Sequence, residues 1–169
     1  NFRECSSHPD LMKIICDSFK ELFSDIQIDG VVGIATGAIS HSTLLAYGMD
    51  LPSGYIRPDA KPKEYGLKRL IEGIDPFDKN IALIEDLVST GGSVFGGAEI
   101  LKKAGAKEIY IGAIFSYEMK KMKEELVNNG FNLQSIVKIK DLMPHLKLSL
   151  SSNDYASLER WVLNPEEWN

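Results

Sequence analysis

Apolar positions along the chain change period several times, and the changes mark out alternating helices and strands. From Ser7 to Phe23, Leu11, Ile14, Ile15, Phe19, Leu22 and Phe23 recur at spacings of three and four, which predicts an amphipathic helix facing a core. Ser7 and Asp10 are spaced to cap its start. Val31 to Ala35 is a short continuous apolar run, the pattern of a strand buried on both faces. Ile39 to Gly48 reads as a helix ending near its glycine, and Gly54 to Arg57 as a second strand. Residues 58–67 hold Pro58, Pro62 and Gly66 among charges and read as a mobile loop, with Lys68 to Glu72 a strand leading out of it. Ile81 to Glu85 predicts another buried strand, and Gly92 to Ala104 a helix stopped by Gly105. The alternation continues with a strand over Ile109 to Phe115, a helix over Glu118 to Asn129 stopped by Gly130, and a strand over Ser135 to Ile139. A final helix spans Ser152 to Leu163, with Tyr155, Leu158, Trp161 and Val162 on one side.

Strands alternating with helices predict an α/β domain with a mostly parallel central sheet flanked by helices, plus the C-terminal helix. At 169 residues one domain is the natural expectation. The net charge of −5 counts against a nucleic-acid or anionic-membrane partner. No apolar run approaches the roughly 18 residues that span a bilayer. Cys5 and Cys16 form no CxxC pair and are expected to be buried thiols, in keeping with a cytoplasmic setting.

In such sheets ligands bind beyond the carboxyl ends of the strands, at a topological switch point. The predicted strand ends are Thr36-Gly37-Ala38, Arg57, Glu85-Asp86 through Ser93, and Ser116-Tyr117, so these should meet in space. Glycines in Ser89-Thr90-Gly91-Gly92-Ser93 let the backbone approach an anion, and the following helix start adds partial positive charge. The loop has neither the Gly-Lys-Ser/Thr of a nucleotide P-loop nor G-x-G-x-x-G, which favours a lone phosphate monoester over ATP or NAD. Glu85 and Asp86 can accept hydrogen bonds from the vicinal hydroxyls of a ribose. Successive residues on a strand face opposite ways, so this pair is expected to sit where the strand ends. The histidines, His8, His41 and His145, are scattered and suggest no metal site.

Ile84-Glu85-Asp86-Leu87-Val88-Ser89-Thr90-Gly91-Gly92-Ser93 resembles the phosphoribosyl-diphosphate (PRPP) motif of type I phosphoribosyltransferases. Gly33 to Ile39 resembles the diphosphate loop of the orotate branch. Tyr55-Ile56-Arg57 with Ala60-Lys61 and Ile71-Glu72-Gly73 resembles its strand, catalytic loop and return. Arg3-Glu4, Ser7-His8-Pro9 and the tail Trp161 with Asn164-Pro165-Glu166-Glu167-Trp168 are similar to the same branch. The resemblance covers nearly the whole chain. It implies the following roles: Glu85 and Asp86 on the ribose, Ser89, Thr90, Gly91, Gly92 and Ser93 on the 5′-phosphate, and Thr36, Gly37, Ala38, Arg57, Lys61 and Lys63 on the diphosphate. Lys61, Arg57 and Asp86 would be catalytic, and Ser89 and Tyr117 would border the base. It further implies Mg2+ carried by PRPP rather than by the protein, a homodimer, and a place in pyrimidine biosynthesis.

The chain departs from the family at several points. Pro58 follows Arg57 where a second basic residue is usual, Tyr65-Gly66 replaces His-Gly, and the loop is about two residues longer. Ser116-Tyr117 stands where many members carry the Asp-Arg that meets the orotate carboxylate. The family's upstream aromatic and lysine base contacts lie before Asn1, so residues 1–169 are expected to form one domain lacking its N-terminal hood. Three functions follow from these residues: an orotate phosphoribosyltransferase, a related enzyme with a purine or other acceptor, or a non-catalytic PRPP- or nucleotide-sensing module.

Overall fold

The structure, a computed structural model, describes residues 2–57 and 70–163. The segment predicted as the basic loop, with Lys61 and Lys63, and the start of the predicted strand at Lys68 lie outside the described residues. Six strands form one sheet: β1 (Gly30–Ile34), β2 (Ser53–Ile56), β3 (Ile71–Glu72), β4 (Asn80–Val88), β5 (Glu108–Ser116) and β6 (Leu133–Lys138). Their order is β3-β2-β1-β4-β5-β6, and every pairing is parallel except the short antiparallel β2–β3 edge. The sequence steps outward in both directions from the β1–β4 pair. That pair is therefore the switch point, and its carboxyl end is where a crevice opens.

Six helices, α1 (Pro9–Leu22), α2 (Ile39–Met49), α3 (Gly92–Lys103), α4 (Lys120–Asn129), α5 (Ile139–Ser149) and α6 (Ser152–Leu163), accompany the sheet. One core cluster joins Met12, Ile15, Cys16 and Phe19 of α1 and Leu45 and Ala46 of α2 to Val31, Ala82, Ile84 and Ile114. The other joins Val94, Ala98 and Leu101 of α3 and Met122 and Leu126 of α4 to Val32, Leu83, Ile111 and Ala113. Both faces of the central strands are thus covered, which explains why β1 and most of β4 read as unbroken apolar runs. Cys5 and Cys16 are free and buried, as expected. No helix among the described residues is long and apolar enough to cross a membrane.

The structure corrects several expectations. Ser7 and Asp10 do not cap α1. Ser7 ends a 3-10 helix (Phe2–Ser7), its Oγ donates to the Glu4 carbonyl at 2.8 Å, and His8 takes the N-cap position without a side-chain bond. The buried stripe of α1 is Met12, Ile15, Cys16 and Phe19, whereas Leu11 and Ile14 are exposed. Asp50 in left-handed conformation, rather than Gly48, ends α2. Helix α4 starts at Lys120 rather than Glu118, with Met119 at the N-cap position and Glu118 at a φ of 53°. Helix α5 is an addition to the predicted elements, and Pro144 lies inside it.

Candidate active site

Strand β1 delivers Ala35, Thr36, Gly37 and Ala38 to the crevice, and α2 starts immediately after them. The turn is closed by the Ala38 N–H donating to the Ile34 carbonyl at 3.1 Å. Across the switch point, β4 does not stop at the carboxylates as expected but continues to Val88. Pairing with β5 carries it on, since Leu87 is opposite Phe115 and Val88 opposite Ser116. Glu85 and Asp86 therefore begin from opposite faces of a strand. The Asp86 carboxylate lies directly against Gly37: a Cβ there would meet Asp86 Oδ2, with Cγ at 2.6 Å. Only a glycine lets the turn and the carboxylate come this close.

Glu85 is buried, and its side chain folds back so that Oε1 accepts the Asp86 N–H at 3.0 Å. Burial, and then the hydrogen-bonded Asp86 carboxyl beside it, push Glu85 up to about 8, while the Asp86 N–H and the Arg3 charge pull the other way. A carboxyl in that range is protonated at neutral pH and can donate as well as accept. The two adjacent acids thus have different chemistry.

Glu85 also lines a cavity of about 150 Å³ together with Leu87, Val88, Ser89, Thr90, Gly91, Gly92, Ser93 and Val94. That volume is below the roughly 300 Å³ at which pockets for drug-sized ligands begin, so it suits a single small group. Gly91 takes the N-cap position of α3 with a φ of 85°, and no side chain caps the helix. The first-turn N–H groups of α3 consequently face the cavity unsatisfied by the chain's own caps, as an anion site requires. A larger cavity of about 560 Å³ between α5 and α6 is lined by Met143, Ala156, Glu159, Arg160, Val162 and Leu163. It holds none of the strand-end residues, and we assign the chemistry to the smaller one.

The flanks are set by neighbouring strands. The Ala35 N–H donates to the Ile56 carbonyl at 2.8 Å, which places Arg57, the next residue, beside the Thr36 turn. On the other flank the Tyr117 N–H donates to the Val88 carbonyl at 3.0 Å, beside the phosphate-sized cavity. The Tyr117 ring packs edge-on against Phe115 at 4.9 Å and Trp161 of α6 at 5.1 Å. Ser116 is buried, and its Oγ accepts the Glu118 N–H at 3.1 Å. All described residues predicted for the site are thereby brought to one end of the sheet.

Two contributors escape a sequence reading. His41 is buried on α2, its Nε2 lies 3.2 Å from the Phe2 carbonyl, and Nδ1 has no partner among the described residues. Burial holds its imidazole below the usual histidine value, with the Phe2 carbonyl and the Asp86 charge opposing. The N-terminal 3-10 helix is fastened over the site by that contact, by Ser6 Oγ donating to Ser40 Oγ at 3.0 Å, and by Phe2 stacking on Phe115 at 6.3 Å. It brings Arg3 within electrostatic reach of Glu85. His41 carries no motif, the resemblance at Arg3-Glu4 assigns Arg3 no partner, and only the fold shows what the two face.

A small cavity next to paired acids, at the switch point of a parallel sheet, has the shape and chemistry of a site for a small anion beside a polyol. The chain belongs to the phosphoribosyltransferase family, since the family model described as Phosphoribosyl transferase domain matches residues 4–145. It is 34% identical over 163 residues to orotate phosphoribosyltransferase of Listeria monocytogenes, covering 94% of this chain and 75% of that relative. Among solved structures, Leishmania donovani UMP synthase aligns with a TM-score of 0.81 at 22% identity, covering 96% of this chain and 35% of that one. Orotate phosphoribosyltransferase of Mycobacterium tuberculosis in complex with PRPP aligns with a TM-score of 0.70 at 19% identity, covering 84% of this chain and 82% of that one. These structural matches show the fold.

Proposed function

We propose that the protein is an orotate phosphoribosyltransferase, which moves the phosphoribosyl group of PRPP to orotate. The bond from the anomeric carbon to diphosphate breaks with its electron pair leaving on the diphosphate. A bond to the orotate ring nitrogen forms as that nitrogen gives up its proton to solvent, giving orotidine 5′-monophosphate. The observation that carries the reading is the meeting of the Asp86 carboxylate with Gly37 beside the cavity of residues 89–93. This arrangement suits a ribose 5-phosphate whose anomeric diphosphate lies over the Thr36–Ala38 turn. Likeness to relatives carrying the orotate phosphoribosyltransferase name supports the acceptor.

Glu85 and Asp86 then hold the ribose hydroxyls, and Ser89, Thr90, Gly91, Gly92 and Ser93 hold the 5′-phosphate. Thr36, Gly37, Ala38 and Arg57 receive the diphosphate, joined by Lys61 and Lys63 from the loop outside the described residues. Arg57 and Lys61 stabilise the charge that grows on the leaving group. Closing the crevice against water prevents hydrolysis of a reactive sugar centre. Ser89 and Tyr117 border the base. Among the described residues no three His, Cys, Asp or Glu side chains converge on one point. This suits a hard cation that would be carried by substrate oxygens and water rather than by the protein. Mg2+, when bound, would neutralise part of the diphosphate charge. A homodimer and a cytoplasmic setting belong to the same reading.

Loss of orotate ultraviolet absorbance on adding PRPP and Mg2+ tests the proposal, with diphosphate released in equal amount. No PRPP-dependent loss would refute it. Ser116-Tyr117 in place of Asp-Arg favours one second reading, a transferase with a purine or other acceptor. A panel of bases with product identification separates the two, and PRPP binding without turnover on any base would indicate a sensing module.

A further inference from the structure

The β2–β3 edge brings three side chains, Tyr55, Arg57 and Glu72, into mutual contact. Tyr55 and Glu72 are direct cross-strand partners in the antiparallel pair. Tyr55 Oη donates to Glu72 Oε2 at 2.6 Å, which fixes the carboxylate and turns Oε1 outward. Arg57 Nε lies 3.8 Å from that Oε1. The Arg57 guanidinium carbon sits 5.3 Å from the centre of the Tyr55 ring, within cation–π range. The Arg57 N–H donates to the Leu70 carbonyl at 3.2 Å, so the backbone beneath the side chain is fixed as well.

A guanidinium has one face-on and two edge-on ways of being held. Here Tyr55 takes a face and Glu72 takes the Nε side. Among the described residues, what remains open is the edge carrying the two terminal nitrogens, the fork that grips two oxygens of a phosphate at once. Both charged side chains are about half exposed, so the ion pair contributes little to folding. Its effect is to restrict a long and otherwise freely rotating side chain that stands beside the Thr36 turn.

We propose that Glu72 and Tyr55 are positioning residues that pre-orient Arg57 for the diphosphate of the donor substrate. The proposal rests on the diphosphate role of Arg57 given above. Glu72 acts only through Arg57, and this separates positioning from a general contribution to the fold. Pre-orientation lowers the entropy that Arg57 loses when the ligand arrives, so removing it weakens binding rather than the chemical step.

The test is a double-mutant cycle on the full chain with Glu72→Gln, Arg57→Gln and the double variant, measuring KM for PRPP and kcat at saturating orotate. Glutamine keeps an acceptor for the Tyr55 hydroxyl and removes the charge. Glu72→Gln is expected to raise KM for PRPP about two- to fivefold, the scale of an exposed ion pair, with kcat essentially unchanged. On the Arg57→Gln background the same substitution should change nothing. Tyr55→Phe, which keeps the ring and loses the grip on Glu72, should raise KM in the same sense by less. A lowered KM in Glu72→Gln would show that Glu72 competes with the substrate and would overturn the proposal, as would equal effects on both backgrounds. An unchanged KM in Glu72→Gln, with KM raised in Arg57→Gln, overturns the positioning role alone. An unchanged KM together with an unchanged kcat in Arg57→Gln overturns it along with the diphosphate role of Arg57.

Discussion

Gly37→Ala tests the junction on which the functional reading depends. Its Cβ would lie against Asp86 Oδ2, 2.6 Å from Cγ and 2.8 Å from Oδ1. Ordinary contact begins near 3.4 Å, so Cγ must retreat by the difference, about 0.8 Å, or the turn must yield by the same amount. Either movement separates the Asp86 carboxylate from the Thr36–Ala38 turn. A displacement near 1 Å at a catalytic centre costs about 10²-fold in rate, which is the expected fall in kcat/KM for PRPP. The neighbour is the tip of a half-buried side chain, so the fold should survive at a cost of about 1–3 kcal/mol. Steady-state assay with varied PRPP reads the first effect and thermal melting the second. Gly48→Ala is the control: it meets the flexible end of Lys20 between α1 and α2, away from the strand ends, and should leave kcat/KM unaltered. Wild-type kcat/KM in Gly37→Ala, with the protein folded, would refute the meeting of Asp86 and the turn as the site of the reaction.

Three further outcomes are expected. Asp86→Asn should lower PRPP use by about 10- to 100-fold, the scale of a hydrogen bond to a charged group, while melting stays near wild type; undiminished activity would remove Asp86 from the ribose. Glu85 binds its proton more tightly folded than unfolded, because its value rises from 4.5 to about 8. Stability should therefore fall as pH climbs through that window, and Glu85→Gln should flatten the slope in a series of chemical denaturation curves. A wild-type slope of the opposite sign would contradict the burial account. Lys61→Ala should lower kcat far more than it alters KM for orotate, and an effect confined to orotate affinity would exclude a leaving-group role.

Much of the donor half of the site was legible because its residues are consecutive. Glu85 to Ser93 runs from strand to loop to helix without a break, and glycine and hydroxyl residues state the turn chemistry directly. The parallel sheet was legible for the same reason, since doubly buried strands have no polar positions to confuse their reading. What stayed hidden depends on long-range contact. The inward side of α1 was misread because Leu11 and Ile14 satisfy helical spacing as well as Met12 and Cys16 do, and only the sheet decides between them. Helix α5 was hidden by Pro144. Arg3, His41, Tyr55 and Glu72 take their meaning from partners 17 to 39 or more positions away, which no local pattern encodes.

The adjacent acids show how the same local pattern can be read correctly for residue type and wrongly for geometry. Two neighbouring carboxylates on a strand should diverge, and convergence was expected only at a strand end. The strand instead continues, and Glu85 meets Asp86 by folding its side chain back onto the Asp86 N–H. That route takes Glu85 out of water and leaves Asp86 at the turn, so burial, with the Asp86 carboxyl beside it, divides one charge pattern into two environments. Burial raises the proton affinity of Glu85, and in its protonated form it could donate to a ligand oxygen, which an ionised carboxylate cannot do. Asp86 remains free to supply negative charge where the sugar becomes positive. Exchanging the two residues, Glu85→Asp with Asp86→Glu, keeps composition and net charge but shortens the chain that must fold back and lengthens the one against Gly37. The division of roles accordingly predicts that this exchange fails to support PRPP use, whereas a simple requirement for two nearby negative charges predicts that it succeeds.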